Sequence, residues 1–172
     1  MRFQTYAAAF AACIAATAAQ ADITVDFLES APKDRFSIRN VDACETGPVR
    51  IDIDLAGSAG RLIFDTTASG AGVEVFQPFQ LVAGAEKVAS VTPVGDGDEA
   101  VSFQLSSLAP GEIVAFTVDV DDRLADSSLG QIRVDGSEIA GAIVKVAFED
   151  EPLEARFDAS SKARLPYSAC LS

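Results

Sequence analysis

The chain has 172 residues, enough for one domain or at most two very small ones, and 49% of them are hydrophobic, which excludes an intrinsically disordered chain. Its 26 acidic residues against 13 basic ones give a formal charge of −13, which argues against nucleic-acid binding and against an anionic membrane surface. Histidine is absent and Met1 is the one methionine, which removes His-based triads, His-ligated zinc, blue copper and haem held by either residue.

Residues 1–21 carry the pattern of an export signal. Arg2 is the positive n-region, Tyr6 to Ala16 a short apolar h-region, and Ala19-Gln20-Ala21 a small-x-small cleavage site. The run is too short and too alanine-rich to span a bilayer, which takes about 20 strongly apolar residues. An ordinary amphipathic helix is disfavoured because no polar face recurs between Ala7 and Ala19. A lipoprotein acylated at Cys13 is disfavoured by Phe10-Ala11-Ala12 before it and Ile14 after it. Cleavage after Ala21 leaves a secreted or periplasmic domain, residues 22–172, with no integral membrane span expected and a charge of −14. Cys13 leaves with the signal. An even pair, Cys44 and Cys170, remains, which in an exported chain reads as one disulfide; the alternative is two separate buried thiols.

From residue 22 onward, apolar and polar residues alternate with period 2, the mark of strands buried on one face. Ile23, Val25 and Phe27 alternate with Thr24 and Asp26, then Phe36 and Ile38 with Ser37 and Arg39. Val49, Ile51, Ile53 and Leu55 alternate with Arg50, Asp52 and Asp54. Compact apolar runs follow at Arg61–Asp65, Val73–Phe76, Phe79–Val82 and Val88–Thr92. Alternation resumes at Val101–Leu105, Val114–Asp121 and Val144–Phe148. Turn chemistry separates these segments at Gly57–Gly60, Ser69–Gly72, Gly95–Asp98, Pro110-Gly111 and Asp135-Gly136. Gly141, inside Ile139–Phe148, marks a bulge or a close backbone approach. No sustained helical spacing occurs. About ten short strands predict an all-β antiparallel two-sheet sandwich, with a closed barrel as the alternative. The tail, Asp158 to Ser172, is mixed and polar, and Cys170 would pin it to the loop after the second strand.

Leu105-Ser-Ser-Leu-Ala-Pro-Gly-Glu112, leading into Ile113–Asp119, resembles the strand–corner–strand of immunoglobulin-like bacterial surface domains, and Phe36-Ser-Ile-Arg-Asn40 resembles an early strand of theirs. Ala31–Phe36, Gly60–Asp65, Gly72–Phe79, Val118–Asp122 and Gly136–Ala142 together resemble small exported bacterial proteins labelled "aggregation factor core". That resemblance spans most of the mature chain. It implies an immunoglobulin-like sandwich with a calcium-dependent adhesion role, and it carries no catalytic residues.

The sharpest chemical cluster is Asp119, Asp121, Asp122 and Asp126. Alternation places Asp119 and Asp121 on one outward face at a strand end, with Asp122 and Asp126 in the loop that follows. Carboxylates so close suit calcium, which takes six to eight oxygens; the alternative is a solvated acidic face. The spacing is not that of an EF-hand. Asp96, Asp98 and Glu99 read as a polar turn, and Asp52 with Asp54 as a further outward pair. Phe64-Asp-Thr-Thr-Ala-Ser-Gly70 resembles the Asp-Thr-Gly loop of aspartic proteases, but Thr67 stands where glycine is needed and there is one copy. Phe76, Pro78 and Phe79 form either a docking patch or core packing.

The expectation is an exported, non-catalytic binding or adhesion module. Calcium is its candidate cofactor, and its partner is a protein or a surface polysaccharide. The alternatives are an accessory subunit of an exported assembly and a carboxylate-dependent hydrolase.

Overall fold

The computed structural model describes residues 22–73, 75–127, 129–131, 133–148, 151–167 and 170. The expected signal segment lies outside the described residues. The strands are β1 (Asp22–Leu28), β2 (Asp34–Asn40), β3 (Val49–Asp54), β4 (Ile63–Asp65), β5 (Gln80–Ala83), β6 (Val88–Val91), β7 (Ala100–Leu105), β8 (Ile113–Asp121), β9 (Ile143–Phe148), β10 (Glu151–Arg156) and β11 (Lys162–Pro166). Single 3-10 turns occur at Ala85–Lys87 and Gly136–Ile139.

These strands form two antiparallel sheets. One runs β11-β1-β2-β8-β4, with β5 also paired to β8; the other runs β10-β9-β3-β7-β6. The all-β sandwich expected from the alternation is the fold.

Register turns alternation into a core. Phe27 faces Phe36, and Phe36 faces Phe116, across β1, β2 and β8. In the other sheet Ile51 faces Phe103 and Val146. The Phe36 and Phe116 rings stack with centroids 4.8 Å apart, and Phe103 reaches Phe116 from the opposite sheet at 5.2 Å. Phe79 lies 5.1 Å from Phe116, so this member of the Phe76–Phe79 stretch is core packing.

The chain closes at one end of the sandwich. β11 pairs with β1 so that Pro166 lies opposite Asp22, and Ile23 lies opposite Asn40 at the end of β2. Asn40 is buried, and its side-chain amide donates to the carbonyls of Cys44 and Leu108. Cys44 is thereby set beside the returning tail and is bonded to Cys170, with Cα atoms 5.5 Å apart.

Three local departures from the sequence pattern have physical causes, and Gly141 shows the close backbone approach that is one of its two readings. Val73–Phe76 forms no strand among its described residues, because it belongs to a strap that crosses the face of the first sheet. β10 contains Pro152 and charged residues, and β11 turns in only Ala163 and Leu165, too few to show alternation. Gly141 adopts φ +93°, and a Cβ there would lie 2.6 Å from the Gly57 carbonyl oxygen, so close approach is the reason for this glycine. The expectation that acids occupy the water-facing side fails along β8, where Asp119 and Asp121 are buried.

Phe116 joins Phe36, Phe79 and Phe103, so Phe116→Ala is expected to cost about 3–5 kcal/mol in a chemical denaturation series. The disulfide links residues 126 positions apart. Its reduction is expected to cost about 4–5 kcal/mol on the chain-entropy model, read as a fall in denaturation midpoint in reductant.

Candidate metal centre

The register of β4 on β8 builds the centre. Asp65 lies opposite Asp119, Phe64 opposite Val120 and Ile63 opposite Asp121. Side chains alternate across a strand, so Asp65, Asp119 and Asp121 leave the sheet on one face while Phe64 and Val120 enter the core. One carboxylate oxygen from each of the three acids lies within 4.8 Å of the others. Two ligands on opposite sides of a calcium ion, each about 2.4 Å from it, are separated by about that distance.

This face is dry because the connection from Thr66 to Phe79 folds back over it. Asp96 anchors the start of this strap: its carboxylate accepts from the N–H groups of Thr66 at 3.1 Å, Thr67 at 3.2 Å and Ala71 at 2.7 Å. The Val73 N–H donates to Asp121 Oδ2 at 2.7 Å. A Cβ at Gly72 would lie 2.3 Å from the carboxyl carbon of Asp65 and 2.7 Å from Asp121 Oδ2, so only glycine lets the backbone lie on the carboxylates. The strap rejoins the sheet edge at Gln77, whose N–H donates to the Asp65 carbonyl and whose carbonyl accepts from the Asp119 N–H.

The charges inside are unmatched. Asp65 is fully buried, Asp121 is 1% exposed and Asp119 6% exposed. Both oxygens of Asp65, Oδ2 of Asp119 and Oδ1 of Asp121 have no hydrogen-bond partner. Among the described residues no Lys or Arg forms an ion pair with any of them. Burial pushes the Asp65 carboxyl up to about 7, helped by the Asp96 and Asp121 carboxylates beside it. Burial likewise raises Asp119 to about 7, with the charges of Asp121, Asp34 and Asp65 adding. Asp34, also buried, is raised to about 7 against the N–H groups of Ser30 and Val120 that it accepts from. Asp121 is raised by burial, with the Val73 N–H opposing.

Two like charges about 4 Å apart repel by about 4 kcal/mol at an effective dielectric near 20. Three carboxyl groups in this space therefore hold protons or share a cation. The donors are all hard oxygens, which suit calcium or magnesium and not a soft metal.

Of the acids expected to cluster, Asp119 and Asp121 are brought together. They face the strap and not solvent, which corrects the outward, solvated placement. Asp122 is buried on its own: Oδ1 accepts from the Leu124 N–H at 2.8 Å, and Oδ2 has no partner. Asp126 is exposed in the turn beyond and lies outside the group. The third member, Asp65, escapes a reading by proximity in sequence because it lies on another strand. The β4–β8 pairing is the signal that finds it. Asp96 and Asp98 are the polar turn expected, with Asp98 accepting from the Gly95 N–H. Asp52 belongs to the other sheet, where it accepts from Ser102 and pairs with Arg50.

The raised carboxyls set the pH response of the metal-free protein. Folded, Asp34, Asp65 and Asp119 hold their protons to about pH 7; unfolded, they lose them near the ordinary 3.8. The folded state therefore binds more protons between those values. Stability is full below the unfolded value and is lost as pH rises through 7. Thermal melts in metal-free buffer are expected to show Tm falling between pH 5 and pH 8; a flat profile would contradict this electrostatic account.

No protein family and no curated protein matches this chain, so the geometry alone bears on the role of the centre.

Proposed function

We propose that this chain is an exported, non-catalytic β-sandwich binding module in which a calcium ion, held by Asp65, Asp119 and Asp121, fixes the strap from Thr66 to Phe79. One observation carries the reading: three buried carboxylates converge, and four of their six oxygens accept no hydrogen bond. Buried charge left unpaired costs several kcal/mol, and a divalent cation removes that cost at three residues together. The placement beneath the strap favours an ion that holds structure over one that meets a substrate. Export is supported by the signal pattern of residues 1–21 and by the Cys44–Cys170 bond.

Adhesion is supported by what the strap displays. Val75 is 45% exposed and Pro78 is exposed beside the half-buried Phe76, so an ion beneath the strap orders an apolar patch above it. The partner would be a protein or surface polysaccharide recognised there. This agrees with the calcium-dependent role implied by the resemblance to "aggregation factor core" proteins.

Calcium at about a hundredfold over its Kd would add about 2.7 kcal/mol to the folded state, a Tm gain of about 5–10 °C for a domain of this size. Melting of the oxidised protein with millimolar calcium and then with chelator reads this gain. Asp65→Asn removes a repelling charge and a ligand, so it is expected to raise the metal-free Tm and abolish the calcium response. No calcium shift in the unsubstituted protein overturns the proposal.

A further inference from the structure

We infer that the chain holds a second divalent cation, in the cavity beside the first and sharing Asp119 with it. This inference rests on the reading of Asp65, Asp119 and Asp121 as a calcium centre.

The cavity has a volume of about 120 Å³; Glu29, Asp34, Asp119 and Arg133 line it, with Pro32 and Val134 among its apolar walls. At roughly 30 Å³ per water, such a space takes one ion and about three waters. Two buried oxygens belonging to its lining, Glu29 Oε2 and Asp119 Oδ2, have no hydrogen-bond partner. Asp119 is 6% exposed, so its free oxygen cannot turn to bulk solvent. Asp34 accepts one N–H on each oxygen, from Ser30 and from Val120, which leaves each oxygen a lone pair for a cation.

Charge leads to the same ion. Glu29, Asp34, Asp65, Asp119 and Asp121 are five carboxylates, and Arg133 is the one basic side chain among the described residues lining the cavity. One calcium in the first centre and the Arg133 guanidinium leave an excess of carboxylates, which a second divalent cation offsets more fully than a monovalent ammonium group does. Asp119 belongs both to the first centre and to the cavity lining, so its carboxylate would bridge the two ions. Because calcium completes its six to eight oxygens with water where protein ligands are few, the cavity ion binds more weakly than the first.

Equilibrium dialysis of the purified protein against calcium counts the ions. Two per chain are expected, the weaker lost or weakened at least tenfold by Glu29→Gln while the calcium-dependent rise in Tm persists. Asp65→Asn is expected to remove the tighter one. One ion per chain in the unsubstituted protein overturns this inference and leaves the proposed function standing; none overturns both. Two ions with unchanged affinities in Glu29→Gln also overturn it, and the Tm of that variant reports that it is folded.

Discussion

Mutual repulsion among Asp65, Asp119 and Asp121 governs the arrangement of this end of the sandwich. Three ionisable groups share a small dry space because β4 pairs with β8 in one register, with Asp65 opposite Asp119. A slip of one residue would send Asp65 toward the core and Phe64 toward the strap. The register is held by the core side of the same strands, where Phe64 and Val120 are buried. Hydrophobic burial thus supplies the free energy that keeps unfavourable charges together. An acidic centre built in this way stores its electrostatic cost in a rigid sheet, and a cation held there would release it.

The strap is the complement of that sheet. Its route depends on Asp96, which gathers three backbone N–H groups, and on Gly72, which lets the backbone touch the carboxylates. Asp96 itself is delivered by a turn that pairs with β4: the Phe64 N–H donates to the Asp98 carbonyl, and the Gly97 N–H to the Phe64 carbonyl. Two acids close in sequence, Asp96 and Asp98, are therefore satisfied by backbone donors, while Asp65 is left bare. The contrast separates structural carboxylates from candidate ligands more sharply than acid density does.

At the opposite edge of the first sheet, covalent and non-covalent closure coincide. β11 docks on β1, and the buried Asn40 amide orders the loop that carries Cys44. The disulfide then secures a tail strand with only two inward side chains, Ala163 and Leu165. A short edge strand of this kind has little apolar area of its own to hold it, which gives the cross-link its use.

Alternation of aliphatic and polar residues, read along the chain, pointed to two antiparallel sheets and most of the strands; the cysteine count pointed to a Cys44–Cys170 bond, and Gly141 read as a bulge or a close approach. These features follow from period and count, which are local or arithmetic. Alternation also placed Asp119 and Asp121 on one face of one strand. What faces them was not legible, because period 2 tells which side a residue takes and not what covers that side. The strap from Thr66 to Phe79 has no periodicity, and its burial of β8 arises from hydrogen bonds between residues 25 to 48 positions apart, Ala71 to Asp96 and Val73 to Asp121. Only tertiary structure decided that Asp65 joins the pair, that Asp122 and Asp126 do not, and that the acids are dry, because strand register and loop path are set by contacts across the whole fold.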